Sequence, residues 1–452
     1  MKIIIVGDGK VGFALSESLS KEGHDITIID NRTDVLKKSV ESLDVIAIRG
    51  NGASSAVQKQ AGVADADLLI AATSMDEVNM ICCLVAKKLG ARHTIARIRN
   101  PEYNEQLKMM QQEMGLSMVV NPELAAATEI ARLISFPSAL NIGTFAKGKV
   151  SMIEFKVSED SPLVNRPLHT LQGHFASRII ISAVNRGAEL FIPKGNFVIE
   201  AGDNVYITGT PRNIIGFLHS LGTNDKKIKS VFIVGGGLIT FYLARLLVDS
   251  GISVTIIEKN PERCNMLCEK IPEALVICGD GTDKDLLDAE GLAYTGAMIA
   301  LTDMDEENLI ISMYAAYRGV QRVITKINRL EYASVIRQAG IDRVISPKYI
   351  AANEIVRYVR SMESLGGGDI KTLYRIIGQQ AEMLEFVATP LTRHLGVPLS
   401  ELPLKDNTLI TTIVRGDDVF IPKGKDCLRE GDRVILITAL GGLEDLNHIY
   451  KE

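Results

Sequence analysis

The chain has 452 residues, which is room for two to four domains of ordinary size. It carries 50 Lys and Arg against 55 Asp and Glu, a formal net charge of −5, and no basic cluster, which disfavours a nucleic-acid-binding protein. No apolar run approaches the roughly 18 residues that cross a bilayer, and the N-terminus has no signal-peptide pattern, so we expect a cytoplasmic protein.

The sequence repeats itself at an offset of 228 or 229 residues. The segment that begins at Lys2 returns at Ser230, acidic Asp30 returns as Glu258, and the block Phe-Ile-Pro-Lys-Gly at 191–195 returns at 420–424. A period this long indicates duplicated domains rather than a solenoid. A motif that occurs at the same place in both halves is therefore better evidence of a shared structure than a motif that occurs once.

Each half begins with six short β-branched runs separated by amphipathic segments. In the first half they are Lys2–Val6, Asp25–Ile29, Val45–Ile48, Leu68–Ala72, Thr94–Ile98 and Met118–Val120; in the second they are Val231–Val234, Ser253–Ile257, Ala274–Ile277, Met298–Leu301, Val323–Ile327 and Val344–Ile345. This alternation predicts two Rossmann-like, doubly wound parallel sheets in an α/β protein.

After each sixth run, an apolar helical stretch follows a proline, and short strands with Gly, Asn and Asp turns come next. This change predicts a small α+β domain behind each sheet. The polar stretch 222–227 and the Gly-rich stretch 366–369 are the predicted boundaries. The four predicted domains are 1–136, 137–222, 228–365 and 366–452.

The turn after the first strand carries a nucleotide-binding pattern, GxGxxG. It consists of Gly7, Asp8, Gly9, Lys10, Val11 and Gly12. The first glycine permits a tight turn, the second lets backbone N–H groups approach a pyrophosphate, and the third allows helix and strand to pack closely. Phosphate would lie at the helix N-terminus. Asp30, at the end of the second strand, would accept the ribose hydroxyls.

The second copy of the turn departs from this pattern at its last position. It reads Gly235, Gly236, Gly237, Leu238, Ile239 and Thr240. A β-branched Thr240 replaces the third glycine, which leaves occupancy of the second site open, although Glu258 retains the carboxylate. Asp30 and Glu258 would repel a 2′-phosphate and so favour NAD(H) over NADP(H), while Arg32 and Lys259 beside them soften that preference.

Polar residues also follow the later strands, whose carboxyl ends hold the ligands of this fold. They are Asn51, Thr73 and Ser74 in the first half and Asp280 and Thr302 in the second. Arg97 and Lys326 mark the ends of the two fifth strands. Each would either meet phosphate or remain a solvated charge.

Catalytic and metal-binding patterns are missing from the sequence. The seven histidines have no matched pair between the halves, and no nucleophile elbow or metal cluster is present. The six cysteines have no metal-ligand spacing; Cys264 and Cys268 would share a helix face, where ordinary packing is favoured over redox chemistry. We therefore expect a nucleotide sensor and not an enzyme, with an NAD-dependent oxidoreductase as the alternative.

These motifs together resemble the RCK (regulator of potassium conductance) domain. The glycine turn, Asp30, the segments 71–79 and 95–103 and Asn121-Pro122 are similar to its N-terminal part, and the Phe-Ile-Pro-Lys-Gly and Gly-Asp blocks are similar to its C-terminal companion domain. Two such pairs in tandem resemble the cytoplasmic regulatory subunits of Trk-type bacterial potassium-uptake systems.

The resemblance implies a protein that binds NAD(H), and in related systems ATP or ADP. It implies a homo-oligomeric ring, expected to be a tetramer, that gates a separate TrkH- or TrkG-like potassium-translocating membrane subunit at the inner face of the membrane. The family's site positions carry over onto Gly7–Val11, Asp30, Asn51, Thr73-Ser74 and Arg97, and onto Gly235–Ile239, Glu258, Asp280, Leu301-Thr302 and Lys326.

Overall fold

A computed structural model describes all of the chain except residues 104–105, 136–140, 172–177, 188, 222–227, 330–340, 342, 364–369, 377–380, 440–442, 444 and 452. The predicted linker at 222–227 and the predicted boundary at 366–369 lie outside the described residues. No helix among the described residues is long and apolar enough to cross a membrane.

The first half begins with a six-stranded parallel sheet. Its strands are β1 (Lys2–Val6), β2 (Asp25–Asp30), β3 (Ile46–Arg49), β4 (Leu68–Ala71), β5 (His93–Arg97) and β6 (Met118–Val120), in the order β3-β2-β1-β4-β5-β6. The helices are α1 (Lys10–Ser20), α2 (Thr33–Ser42), α3 (Ser55–Gln60), α4 (Asp76–Leu89), α5 (Leu107–Glu113) and α6 (Pro122–Ser135). This is the Rossmann strand order, and it places the glycine turn at the centre of the sheet.

A small antiparallel sheet follows. It contains β7 (Asn141–Phe145), β8 (Val150–Lys156), β9 (Ile179–Arg186), β10 (Glu189–Phe191) and β11 (Asn204–Gly209), in the order β10-β9-β11-β8-β7, with α7 (Leu168–Leu171) and α8 (Pro211–Ser220).

The second half repeats both sheets in the same order. Its parallel sheet contains β12 (Ser230–Val234), β13 (Ser253–Glu258), β14 (Leu275–Cys278), β15 (Ala297–Ala300), β16 (Val323–Lys326) and β17 (Arg343–Ile345), with α9 (Leu238–Asp249), α10 (Pro261–Lys270), α11 (Lys284–Ala289), α12 (Asp305–Tyr317) and α13 (Pro347–Glu363). Its antiparallel sheet contains β18 (Ile370–Ile376), β19 (Ala381–Val387), β20 (Thr408–Arg415), β21 (Asp418–Phe420) and β22 (Arg433–Thr438).

The predicted fold class is confirmed, and all twelve predicted parallel strands are present. Their ends differ from the prediction by at most one residue: the fifth strand, for example, is His93–Arg97 instead of Thr94–Ile98. The reason is that β-branched runs mark the buried centre of a strand, whereas its ends depend on ladder hydrogen bonds to neighbouring strands.

The two parallel sheets belong to one compact unit, Met1–Ser135 with Lys227–Val356. One of its cores crosses between the halves: Ala127 and Ile130 of α6 pack with Ile239 and Leu243 of α9. The Tyr242 hydroxyl donates to the Arg99 carbonyl oxygen at 2.6 Å, which adds a polar contact between the halves. The helix after the first sheet therefore covers the first helix of the second sheet.

The two antiparallel sheets form the other unit, Phe136–Lys226 with Arg357–Glu452. They share a core in which Met152 and Tyr206 of the first sheet meet Met383 and Ile435 of the second. The Ala146 N–H donates to the buried Glu385 carboxylate at 2.9 Å. The duplicated small domains are thus packed against each other.

Candidate nucleotide-binding site

The glycine turn is fixed by its contact with the fourth strand. Gly7 has φ +95°, a conformation that L side chains rarely adopt, and a Cβ there would lie 2.9 Å from the backbone of Thr73. Gly235 repeats this geometry with φ +103° against the backbone of Leu301. The turn lies close to the carboxyl end of the fourth strand in each half.

Each turn leads into a helix whose N-terminus has no side-chain cap. Gly9 precedes α1 and Gly237 precedes α9, and neither first turn contains an acidic residue. The first N–H groups of such a helix have no intrahelical partner, and the helix dipole favours an anion there. A Cβ at Gly9 or Gly237 would have no neighbour within 4 Å, so space is open in front of both helix ends.

Asp30 is held in place at the end of β2. Its carboxylate accepts the Asp8 N–H at 2.7 Å and the Arg32 N–H at 2.9 Å. Burial disfavours its charge, but these N–H groups and the nearby Arg32 guanidinium outweigh burial, so the pKa of Asp30 is below its ordinary value. Asp30 is therefore ionised at neutral pH and can accept hydrogen bonds from a ribose.

The third glycine is required in the first half. A Cβ on Gly12 would lie only 1.8 Å from the Gly7 carbonyl oxygen. At the matching position, the Thr240 side chain is fully buried and its hydroxyl donates to the Gly235 carbonyl oxygen. The Gly235 carbonyl oxygen therefore accepts a hydrogen bond from a side chain, whereas the Gly7 carbonyl oxygen packs against a glycine. The second turn thus differs locally from the first.

An asparagine ties the ends of the fourth and fifth strands together in each half. Asn79 accepts the Thr73 N–H at 2.8 Å and donates to the Arg97 carbonyl oxygen at 2.8 Å. Asn308 makes the same bonds to Thr302 and Lys326. Sequence reasoning did not select these two residues, although their spacing of 229 residues is the signal that would have found them.

The turn and the strand ends surround a cleft of about 850 Å³. The predicted site residues that line it are Gly7, Gly9, Lys10, Val11, Asp30, Asn51, Thr73, Ser74 and Arg97. Asp8 and Gly12 are buried behind this lining. The second half also contributes to this cleft, through Ile239, Lys326, Asn328, Pro347 and Lys348.

Two cations in this cleft are largely buried. Arg97 pairs with Glu123 of α6 at 2.9 Å, and the Arg97 Nε and the Glu123 Oε2 are buried with no partner among the described residues. Lys326 is 9% exposed and lies 3.6 Å from Asp303. Burial lowers the pKa of both Arg97 and Lys326, so each charge would gain from an anion placed beside it.

The second cavity is much smaller, about 100 Å³. It is lined by Gly235, Gly236, Gly237, Glu258, Asp280, Leu301 and Thr302 among the predicted residues. The Glu258 carboxylate folds back onto the Gly236 N–H at 2.5 Å and the Asn260 N–H at 2.7 Å. A Cβ on Gly236 would lie 2.8 Å from the Glu258 Cγ, so the longer acid fits because this position has no side chain.

Three residues predicted for the second site lie elsewhere. Ile239 and Lys326 line the first cleft, and Leu238 lines a separate surface pocket together with Ser74 and Arg99. For Leu238 and Ile239, at the start of α9, the reason is the packing of α6 on α9, which brings that helix beside the first half. The sequence of one half, taken by itself, could not reveal that residues of the second half line the first cleft.

Comparison with known proteins gives the family. The TrkA-N domain matches residues 3–122 and 231–347, and the TrkA-C domain matches residues 152–222 and 383–450. The chain belongs to the TrkA family. Its membership confirms the resemblance to tandem RCK domains inferred from the glycine turns and the repeated blocks.

Several relatives in this family match over the full length. A Methanosarcina mazei protein named Trk system potassium uptake protein TrkA homolog 2 is 33% identical over 459 residues and covers 100% of both chains. The Trk system potassium uptake protein TrkA of Halomonas elongata is 35% identical and covers 97% of this chain and 96% of its own.

Solved structures share the fold of this TrkA-family chain. The crystal structure of the GsuK RCK domain matches with a TM-score of 0.63 and 21% identity over 96% of this chain and 92% of its own. The GsuK channel bound to NAD matches with a TM-score of 0.63 and 20% identity, over 97% of this chain and 76% of its own. At this identity the likeness concerns the fold alone.

Proposed function

We propose that this chain is the nucleotide-sensing regulatory subunit of a Trk-type potassium-uptake system. It binds NAD(H), ATP or ADP, or more than one of these, in the first cleft. It controls a potassium-translocating membrane subunit of the TrkH or TrkG type, as a homo-oligomeric ring located at the cytoplasmic face of the membrane. The relatives named as Trk system potassium uptake proteins support this proposal. The GsuK channel bound to NAD is an example of a nucleotide on the same fold.

The observation that carries the proposal is the shared lining of the first cleft. A glycine turn, an uncapped helix N-terminus and an ionised Asp30 are the parts that a dinucleotide needs. Lys326 and Lys348 reach the same cleft from the second half. A phosphate chain bound there would touch both halves of the parallel-sheet unit, and so it would be sensitive to how they are arranged.

The mechanism is a population shift between two arrangements of these halves. A ligand shifts such an equilibrium only by its difference in affinity for the two states. A difference of a few kcal/mol in binding free energy is enough to change which state predominates. The Arg97–Glu123 ion pair is a suitable point of coupling, because phosphate would compete with Glu123 for the guanidinium. Glu123 lies in the first turn of α6, the helix that packs on α9.

Ring assembly is supported by an apolar surface that recurs in both halves. Leu84 of α4 and Ile310 and Met313 of α12 are exposed, with Ile310 at 64%. Met80 of α4 does not belong to this surface, because it is buried and packs in the core of its own sheet. Exposed apolar residues on two equivalent helices are typical of a surface that a second copy covers.

The first test counts nucleotide sites on the purified full-length chain. Calorimetric titration with NADH, NAD⁺, ATP and ADP should give binding at the first cleft, and Gly9→Val should abolish it. The substitution places a side chain in open space before the helix N-terminus, so the fold should be retained. Reconstituted with its membrane partner, the chain should change potassium flux when nucleotide is added; flux that ignores every nucleotide bound would refute regulation.

The second test addresses the oxidoreductase alternative. Bound NADH should remain unoxidised with a broad panel of carbonyl substrates, because the described residues that line the cleft include no His or Tyr, and we assign the lysines that line it to phosphate binding. Substrate-dependent loss of NADH absorbance at catalytic turnover, abolished by Gly9→Val, would establish the enzyme instead.

A further inference from the structure

Two cysteines of the second half lie together beside the second cavity. Cys264 of α10 and Cys278 at the end of β14 are in side-chain contact. The Cys264 thiol donates to the Glu258 carbonyl oxygen at 3.2 Å, and Glu258 is the parallel-ladder neighbour of Cys278. Because neighbouring strands are about 4.8 Å apart, Cys264 and Cys278 both lie beside Glu258.

The two thiols differ in accessibility. Cys278 is exposed, whereas Cys264 is 6% exposed. Burial, followed by the adjacent Cys278, raises the pKa of Cys264 to about 11. An oxidant from solvent therefore meets Cys278 first, and Cys264 is held next to it as the second thiol.

This arrangement is confined to the second half. At the offset of the repeat, Leu36 corresponds to Cys264 and Arg49 to Cys278. Leu36 is buried as Cys264 is, so packing at this position is satisfied without sulfur. Cys268, one helical turn beyond Cys264, is exposed and provides a control on the same helix.

We propose that Cys264 and Cys278 form a reversible disulfide that responds to peroxide or to a low-molecular-weight disulfide. In the reduced protein this site is a dithiol. Disulfides of proteins in reducing compartments are commonly transient and redox-sensing, and a pair with one exposed thiol fits that class.

Hydrogen peroxide can supply the oxidising equivalents for this bond. The Cys278 thiolate attacks one peroxide oxygen, the O–O bond breaks, and a sulfenic acid and one water result. The Cys264 sulfur then attacks the Cys278 sulfur, the S–O bond breaks, and a second water leaves. The two thiols lose two electrons and two protons, and a dithiol reductant reverses the change.

The bond would act on the second cavity. It joins α10 to the end of β14, and both segments contribute to that cavity, through Arg263 of α10 and through Asp280, two residues beyond Cys278. With the two segments joined, widening of the cavity from its small volume would be restricted. This consequence rests on the proposed nucleotide-binding function, whereas formation of the bond does not.

The first experiment maps the bond in the full-length chain. After treatment with hydrogen peroxide, non-reducing peptide mapping should find Cys264 linked to Cys278, and dithiothreitol should release it. Cys278→Ser, at an exposed position, and Cys264→Ser should abolish the link, while Cys268→Ser should leave it intact. A link from Cys264 to Cys268, or Cys278 oxidised to a sulfinic acid without a link, would overturn the proposal.

The second experiment titrates reduced and oxidised protein with NADH and ATP, with the first site blocked by Gly9→Val. Oxidation should weaken binding at the second site by at least about threefold, and Cys278→Ser should remove the difference. Equal affinity in a protein that carries the mapped bond would refute the coupling. If the reduced Gly9→Val protein binds no nucleotide at the second site, the coupling fails. If the reduced wild-type protein binds none at either site, the proposed function fails while the mapping result stands.

Discussion

At the scale of single residues, the two ribose carboxylates are placed by different means. Asp30 is short and has Asp8 beside it, and the buried Asp8 is held by the Ser39 hydroxyl at 2.6 Å. Glu258 is longer and uses the space that Gly236 leaves. Because Glu258 lies against a glycine, its longer side chain still accepts the Gly236 N–H, as Asp30 accepts the Asp8 N–H.

Asp30→Ala should weaken nucleotide binding at the first site by roughly tenfold or more, because a charged acceptor is typically worth about 1.5–3 kcal/mol. Calorimetry on the folded variant measures this. Asp25→Ala is the matched control, since Asp25 is exposed at the other end of β2 and should leave affinity unchanged. Wild-type affinity in Asp30→Ala would remove this carboxylate from the site.

Thr240→Gly should strengthen binding at the second site by roughly threefold to tenfold, which is about 1 kcal/mol. Without the side chain, the helix start can approach its strand as closely as at Gly12. The titration is made in the Gly9→Val background, so that only the second site is measured. The reverse change, Gly12→Thr, should abolish binding at the first site because of the 1.8 Å clash. No gain in Thr240→Gly would mean that threonine fits there without cost.

At the scale of elements, each antiparallel sheet contains the same internal ion pair. Arg186 at the end of β9 bonds Asp203 through two nitrogens at 2.8 Å, and Arg415 of β20 bonds Asp432 in the same way. The Arg186 guanidinium also lies over the Phe197 ring, and the Arg415 guanidinium lies over the Phe420 ring. The Gly-Asp blocks at 202–203 and 431–432 thus supply the acidic partners of two equivalent ion pairs.

Asp203→Asn should destabilise its unit by about 1.5–3 kcal/mol at pH 7, the range for hydrogen bonds to charged groups. Burial disfavours the Asp203 charge, but Arg186 and the Glu200 N–H outweigh it and the pKa is lowered. A lowered pKa means that the stabilisation is present above the unfolded value of about 3.9 and is lost as pH falls through the folded pKa.

Denaturant unfolding at several pH values measures this effect. The gap in unfolding free energy between wild type and Asp203→Asn should be full above about pH 4 and should narrow steadily as pH falls below it. Asp160→Asn alters an exposed carboxylate of the same domain and should change little. A gap that persists undiminished at pH 3 would show that the charge of Asp203 is not its source.

At the scale of the whole molecule, the halves are not independent. The buried face of α6, which includes Ala126, Ala127 and Ile130, packs against α9 of the other half. Separation of the halves would expose this face to water, at a cost of roughly 25 cal/mol per Å² of apolar surface.

A fragment of residues 1–222 should therefore associate with itself, because a second copy is the available cover for α6. Multi-angle light scattering should find a dimer or a larger species. Ile130→Asp in the same fragment should shift it towards monomer. A wild-type fragment that stays monomeric at micromolar concentration would show that α6 is not an obligatory contact surface.

The sequence alone determined the duplication, both Rossmann sheets, the glycine turns and the acids at the strand ends. These features depend on residues close together in the chain: β-branched runs define buried strands, and glycine spacing defines a turn and a helix start. The division into domains 1–136, 137–222, 228–365 and 366–452 remains a prediction.

The tertiary structure alone decided which distant parts meet. The contribution of Lys326 and Lys348 to the first cleft, the packing of α6 on α9 and the contact of Cys264 with Cys278 follow from packing between segments far apart in the chain. Apolar helix faces have similar patterns whatever they cover, so the partner of each face is chosen by shape and close packing in the folded protein.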